Sequence, residues 1–443
     1  MLIRYSVSNF RSYKNEATLD FVTNSKISTN KSHEYRFGRL SVLKNIGIFG
    51  SNAYGKSNLI KSIQAMQLII SRNVTPENFS FVGQEDIPTT FRILFSTEDN
   101  EFYEYSFSIV RIPNSVCFNV VDEELYIQHV TRPAELLYSK SKNVLKTKNS
   151  TLKIFLEGYK RLDSQLFLNY INAAERRIDD CEESEIFFKV FKYLYENIIA
   201  FSDERQLMYM LSKESILSVN EYLNKYDIGI KKSKFIEISE NESIGLLNDP
   251  LTKNIFLEAQ KPPYISRYIC DKGNIYNIEN NNGKIEIKKL MFEHQGFNRN
   301  FSYGYESEGT KRIFTLLATL MNDANKNKTI FIDEIERSAY PEIITEIIKD
   351  FQEKFKDEKA QLVFSTHHTP LIKYVLRNDE VYFIDKLPTG SSTIYPLTDF
   401  KILTRDNVEK NFKNGLYGGV PNIGVTCWWG YPLIYATFVE MLL

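Results

Sequence analysis

Two hydrophobic rhythms alternate along the chain. Residues 2–9 set Leu2, Arg4, Ser6 and Ser8 against Ile3, Tyr5 and Val7, and this period of two predicts a strand. Thr18–Val22 predicts a second strand. A polar stretch from Asn24 to His33 follows, and then an apolar run, Ile46–Phe49, that meets a glycine-bearing loop. Leu59, Ile63, Met66 and Ile70 recur at helical spacing, so a helix is expected over 57–71. Residues 72–88 are polar and contain Pro76 and Pro88. Thr90–Phe95 and Phe102–Val110 then predict a hairpin closed by Thr97-Glu98-Asp99-Asn100, with further strand-like pieces at Glu124–Val130 and Glu135–Tyr138.

The rhythm changes between 151 and 226. Leu166, Phe167 and Tyr170, and then Ile186, Phe187, Val190, Leu194 and Ile198, follow helical spacing with charged residues between them. The sustained heptads of a coiled coil are missing. Residues 228–290 return to strand, with Asn274–Ile278 and Lys284–Lys289 flanking the turn Asn280-Asn281-Asn282-Gly283. Three segments of the last third join apolar runs to polar groups. Glu306–Arg312 precedes a helix with Ile313, Leu316, Leu317 and Leu320 on one face. The strand Thr329–Ile332 runs into Asp333 and Glu334, and Pro341 opens a helix with Ile343, Ile347 and Phe351 inward. The strand Gln361–Phe364 runs into Ser365, Thr366, His367 and His368.

A length of 443 residues allows two or three structural units, and 43% hydrophobic residues are ample for a core. The formal net charge of −1 gives no global basic character, so nucleic acid is not indicated by charge. Lys231, Lys232, Lys234, Lys284, Lys288 and Lys289 form either a solvated strand face or a phosphate-docking face. Cys117, Cys181, Cys270 and Cys427 form no CxxC pair, which suggests neither a zinc site nor a disulfide framework. The N-terminus reads as a strand rather than a leader, and no stretch has the length of a membrane span, so a cytoplasmic protein is expected. The tail Ile423–Leu443 contains CWWGYPLIYATFVEMLL, broken by Gly430 and Pro432. A packed tail or an interface strand is the plainer reading of it; a partner-docking segment and a peripheral membrane contact are the alternatives.

Residues 46–58, IGIFGSNAYGKSN, carry the chemistry. Gly50 to Ser57 fits G-x-x-x-x-G-K-[ST], the loop that wraps phosphates with backbone N–H groups. Gly50, Ser51, Asn52, Ala53, Tyr54, Gly55, Lys56, Ser57 and Asn58 are therefore expected to bind a nucleotide. Lys56 would place positive charge on the β- and γ-phosphates, and the Ser57 hydroxyl would ligate Mg²⁺. A strand ending in two carboxylates is costly unless they hold something. Asp333 can hold Mg²⁺, directly or through water, and Glu334 can polarise a water aimed at the γ-phosphate. By itself, Ser307-x-Gly309-Thr310 reads as a helix cap. His367, at a strand end, would face the ligand crevice of a parallel sheet.

The order Asn9-Phe10-Arg11-Ser12, phosphate loop, Ser307-x-Gly309-Thr310, Asp333-Glu334 and Thr366-His367 resembles the ABC-type ATPase heads of the RecF, SMC and OLD kind. More closely, ESEGTKR, FIDEIERS, STHHTPL, DKLPTGSSTIYPLTDFK and NGLYGGVP are similar to the stand-alone ATPases of abortive-infection operons, the RloA/AbiLi type. The resemblance covers residues 1–422 and implies an α/β, P-loop ABC-type ATPase head with an inserted helical and strand lobe. Its halves would be 1–150 and 291–422, its lobe 151–290, and 423–443 a hydrophobic tail.

It also implies ATP and Mg²⁺ as cofactors, with Arg11 and Ser12 near the nucleotide. Ser307 and Gly309 would reach the γ-phosphate of ATP on another subunit, and His367 would sense the γ-phosphate. Such heads close as a homodimer, or as part of a higher homo-oligomer. The expected function is an ATP-hydrolysing switch in antiphage abortive infection, with a separately encoded effector and no nuclease activity of its own. A RecF-like DNA clamp and a scaffold with a vestigial ATPase are the alternatives. The chain departs from the pattern at Glu308, where transporters have glycine, and at Tyr340, where relatives place histidine. His368 directly follows His367, and the glutamine loop has only Gln165 as a candidate.

Overall fold

A computed structural model describes the chain except residues 78, 130, 142–143, 148–151, 154–158, 160–162, 174–181, 203–211, 227, 263–265, 282–283, 404–405 and 422–443. The tail expected over 423–443, the centre of the 280–283 turn, Cys181 and Cys427 therefore lie outside the described residues. Cys117 and Cys270 are exposed. Among the described residues no helix is long and apolar enough to cross a membrane.

The chain divides into two compact units. The first holds Met1–Ala200, Asn327–Glu334 and the chain from Asp357. Its antiparallel sheet runs in the order Val144–Lys146, Glu135–Ser141, Phe118–Gln128, Phe102–Arg111, Thr89–Ser96, Leu2–Ser8, Ala17–Asp20. The alternation dictates the packing: Phe91, Ile93 and Phe95 and their register partners Phe107, Tyr105 and Tyr103 are all buried. Phe91 and Phe107 stack with ring centroids 5.0 Å apart.

The same unit contains a sheet ordered Ile198–Phe201, Thr329–Ile332, Gln361–Thr366, Asn45–Phe49, Val381–Lys386, Ser392–Pro396. Asn45–Phe49 and Gln361–Thr366 are parallel, as are Thr329–Ile332 with Gln361–Thr366 and Val381–Lys386 with Asn45–Phe49. Every residue of Asn45–Phe49 is buried, as expected of a parallel strand covered on both faces. One side chain ties the two sheets together. The Gln361 Oε1 accepts from the Leu2 N–H at 2.6 Å and from Thr329 Oγ1 at 2.8 Å, while its Nε2 donates to the Leu2 and Leu43 carbonyls, both at 2.9 Å.

The helix Lys56–Arg72 buries Leu59, Ile63, Met66 and Ile70, the positions that helical spacing selects. Phe167–Ala173 and Glu182–Lys192 bury Phe167, Leu168, Phe187 and Val190 in the same core. These helices thus belong to the first unit, whose division at Ala200 differs from a lobe that begins at 151. The helical run also stops earlier than its spacing implies. It passes through a π turn, Tyr193–Asn197, and Ile198 opens a strand. The physical reason is capture of its carbonyls: Gln67 Nε2 donates to Leu194 and Ile198, and Gln64 Nε2 to Ala200. Beneath Phe167 lies the buried Glu123 carboxyl, which accepts from the Phe167 N–H at 2.8 Å, the Leu168 N–H at 3.1 Å and the Tyr105 hydroxyl at 2.8 Å. Burial pushes this carboxyl above its ordinary range, against the pull of those donors and of Lys140.

The second unit holds Phe201–Lys326 and Ile335–Lys356. The long strand Lys284–His294 pairs antiparallel with Asn274–Asn281, Ile230–Glu237 and Asn300–Ser302, and Arg267–Asp271 extends the sheet. Two helices, Glu240–Leu247 and Pro250–Ala259, occupy a stretch whose composition reads as strand. Their caps are local: Ser239 accepts from the Glu242 N–H, and Asp249 accepts from the Thr252 N–H ahead of Pro250 at the tolerated first position. The lysines of this unit are largely neutralised. Lys231 and Lys234 pair with Glu293, Lys288 with Glu279 and Glu286, and Lys289 with Glu242. Glu308–Leu320 buries Ile313, Leu316, Leu317 and Leu320 as expected. In Pro341–Lys354 the inward face is Ile344, Ile347, Ile348 and Phe351, one position on from Ile343.

Candidate functional site

The loop from Gly50 to Gly55 leaves the end of the central parallel strand and enters Lys56–Arg72. A Cβ at Gly50 would lie 2.6 Å from the Ile384 carbonyl oxygen, and one at Gly55 would lie 2.5 Å from Ser392 Oγ and 2.9 Å from Ser12 Oγ. Gly55 also sits at φ 118°. Both positions therefore exclude a side chain, as the phosphate-loop pattern requires. Lys56 is buried, and its Nζ donates to the Gly50 and Ser51 carbonyls at 2.6 and 3.1 Å. Tyr54 and Gly55 give their carbonyls to other elements: Ser392 Oγ donates to Tyr54 at 2.5 Å, and the Tyr13 hydroxyl to Gly55 at 3.0 Å.

The carboxyl ends of the neighbouring parallel strands bring up the remaining groups. Ser365 Oγ donates to Asp333 Oδ1 at 2.5 Å and accepts from the Glu334 N–H at 2.8 Å. Glu334 is held at φ 46°, an uncommon conformation for a residue with a side chain. Ser51, Asn52, Ala53, Gly55, Lys56, Ser57, Asn58 and Glu334 line one cavity of about 150 Å³. His367 Nε2 lies 3.2 Å from Lys56 Nζ, whereas the N–H of His368 turns back to Thr366 Oγ1 at 2.9 Å.

The turn at Asn9–Tyr13 joins this site from the N-terminus. Asn9 and Arg11 have φ of 51° and 48°. Asn9 is a strut: its Nδ2 donates to the Gln84 and Ile87 carbonyls at 3.0 and 2.7 Å, which fixes the segment beyond Phe79. Phe10 packs edge-on against Phe79 and Phe91. Ser12 Oγ accepts from Asn58 Nδ2 at 2.9 Å, and the Ser12 carbonyl accepts from the Ser392 N–H at 2.6 Å. Arg11, Ser12 and Asn58 open onto a larger cavity of about 960 Å³ whose far wall includes Phe79, Phe81 and Arg111. Gln165 is elsewhere. Its amide bonds Asn169, which bonds the Ile70 carbonyl at the far end of the phosphate-loop helix, on the order of 20 Å from Lys56 at 1.5 Å per residue.

Ser307 and Gly309 lie in the second unit. Ser307 caps Glu308–Leu320 by accepting from the Thr310 N–H at 3.1 Å. A Cβ at Gly309 would lie 2.8 Å from the Ser338 carbonyl oxygen, so glycine is what lets the segment after Ile335 approach this helix start. Tyr13 and Ser392, which hold the phosphate loop from outside, carry no motif of their own, and the sequence offers only their neighbourhood to NFRS and GSS.

The donor set fits Mg²⁺ and a triphosphate. A hydroxyl at Ser57 and an oriented carboxylate at Asp333 are hard oxygen ligands, and a two-ligand site completed by phosphate oxygens is the usual magnesium arrangement. Among the described residues no group of three or more His, Cys, Asp or Glu would hold a metal alone.

Residues 201–372 match the family described as AAA domain, putative AbiEii toxin, Type IV TA system. The matched stretch includes Ser307, Gly309, Asp333, Glu334 and His367, and the phosphate loop precedes it. No curated protein matches the sequence. Solved structures similar to the chain include an SMC head bound to the C-winged helix domain of ScpA, 12% identical, covering 89% of this chain and 97% of that one with a TM-score of 0.41. Another is an SMC head domain from Thermotoga maritima, 12% identical, covering 90% of this chain and 99% of that one with a TM-score of 0.37.

Proposed function

We propose that this chain is an ATP-hydrolysing molecular switch in antiphage abortive infection: two copies close around two ATP molecules, and hydrolysis releases them. The observation that carries the reading is the single cavity shared by Lys56, Ser57 and Glu334, into which a triphosphate, its cation and an attacking water would fit together. Lys56 turns from the Gly50 and Ser51 carbonyls toward the β- and γ-phosphates. Ser57 and Asp333 hold Mg²⁺, with Ser365 fixing the Asp333 carboxylate. The cation, when bound, spreads the charge that develops on the phosphate oxygens. Glu334 orients and polarises the water. His367, beside Lys56, senses the γ-phosphate. Ser307 and Gly309 complete the pocket of the partner copy.

The defence assignment is supported by the AbiEii description of the matched family and by the abortive-infection phrases in the sequence. In this reading the signal passes to a separately encoded effector, and the chain itself cuts no nucleic acid. Copurification with the product of the adjacent gene, with and without ATP, tests the effector. Cleavage of DNA or RNA by the purified chain alone refutes the assignment. Glutamate pairing of the second unit's lysines argues against the DNA-clamp reading; that reading would return if ATP induced duplex binding that fell steeply with salt.

A further inference from the structure

The segment after the last sheet strand closes back on the phosphate loop. Val408–Lys413 is capped by Asn414, and the chain then turns through Gly418 and Gly419, both at φ 71°. A Cβ at Gly418 would lie 2.5 Å from the Tyr395 hydroxyl and 2.6 Å from Asp385 Oδ2, and one at Gly419 would lie 3.2 Å from the Ile384 carbonyl oxygen and 3.7 Å from Gly50 Cα. The glycine pair is thus what permits the approach. Aromatic stacking anchors the segment. Phe412 and Tyr417 both stack on Phe383, at 4.8 and 5.6 Å, and Phe412 meets Phe49, the residue before Gly50, edge-on. The Tyr395 hydroxyl donates to the Tyr417 carbonyl at 2.8 Å. The phosphate loop reaches out to the same segment: Ser51 Oγ donates to the Gly419 carbonyl at 3.1 Å and the Tyr54 hydroxyl to the Val420 carbonyl at 3.4 Å.

We propose that Gly415–Val420 is a clasp that positions the phosphate loop through Ser51 and Tyr54, so that nucleotide occupancy and clasp closure stabilise each other. The proposal rests on the nucleotide reading above. Its physical basis is conformational freedom. The clasp restricts the loop from outside, and phosphates would restrict it from inside, so whichever acts first lowers the ordering cost met by the second. Such coupling is reciprocal: a partner that draws the segment off the loop weakens ATP binding by the factor by which ATP weakens that partner. Ser51 and Tyr54 are positioning residues here, since their side chains act on the loop and not on the reacting atoms.

The test uses the full chain as wild type, Gly418→Ala and Tyr54→Phe. ATP affinity and turnover are measured by calorimetry and phosphate release, and hydrogen exchange of residues 411–421 is followed with and without a non-hydrolysable ATP analogue. Gly418→Ala is expected to weaken ATP about fivefold or more, with turnover at saturation within about twofold of wild type, and Tyr54→Phe to weaken ATP by less. In wild type the analogue raises protection of 411–421. Unchanged affinity in Tyr54→Phe together with unchanged protection overturns the clasp, and these two readouts decide the matter if Gly418→Ala does not fold. Should wild type bind ATP while both readouts stay flat, the clasp alone fails. Should wild type bind no ATP, the nucleotide reading fails and takes the clasp with it.

Discussion

The phosphate loop and the Ser307 turn are built in opposite ways. In the loop the Gly50, Ser51, Tyr54 and Gly55 carbonyls are already bonded, by Lys56, Ser392 and Tyr13, and the backbone follows one path. At the turn, Ser307 and Glu308 are exposed, and the side-chain bonding is local: Ser307 Oγ meets the Thr310 N–H and Thr310 Oγ1, and Lys311 pairs with Glu308. Surface pairs of that kind contribute little. A region finished by its own chain holds a ligand by preorganisation, which keeps the ordering cost of binding small. A region left at the surface contributes when something is brought to it. In our reading the first binds ATP and the second acts on ATP bound by another copy.

Substitutions can break this contrast. The largest effect is expected from Glu334→Gln, which keeps the shape of the cavity but removes the group that polarises water. Turnover should fall about 10²–10⁴-fold with ATP affinity retained, and light scattering with ATP should find a persistent dimer. A monomer under those conditions would defeat the two-copy reading. Lys56→Ala should weaken ATP by about 100-fold, measured by calorimetry, because a buried charged donor is lost and two carbonyls are orphaned. Ser307→Ala sharpens the comparison. Affinity should stay level while turnover falls about tenfold, and loss of the cap should cost about 1 kcal/mol in denaturant unfolding. A loss of affinity instead would mean that the turn also holds nucleotide within its own copy.

The smallest expected effect is remote from both regions. Because burial raises the folded-state value of Glu123, the native chain keeps a proton that the unfolded chain releases. The stability this group contributes is present below the ordinary carboxyl range and is lost as the pH rises through the raised value. Glu123→Gln cannot titrate. Relative to it, the wild-type denaturant midpoint should decline from acid toward neutral pH.

What could be read in advance follows from how local each signal is. Asn45–Phe49, Gln361–Thr366 and the buried face of Lys56–Arg72 were legible because burial on both faces or on one stripe leaves a rhythm in the residues themselves. Gly50, Gly55, Lys56 and Ser57 were legible because phosphate chemistry fixes their spacing. Ile198 was misread because Gln67, distant in sequence, captures the carbonyls around it. Glu240–Leu247 and Pro250–Ala259 were overlooked although Ser239 and Asp249-Pro250 announce them; the surrounding strands dominated the composition. Tyr13, Ser392 and Gly419 support the loop through single bonds across long separations, which no local pattern encodes.

The Gln361 amide has a consequence for biosynthesis. Leu2, near the start of the chain, receives its partner only when residue 361 has left the ribosome, and the strands nearest Leu43 and Thr329 wait for the same side chain. The first strand has its sheet neighbours, Ala17–Asp20 and Thr89–Ser96, early in translation, but the amide that joins this sheet to the parallel one arrives only after most of the chain is made. A nascent chain in that condition exposes the apolar surface of an unfinished core for a long interval. Growth temperature and chaperone supply should therefore govern the yield of this protein more strongly than its finished stability does.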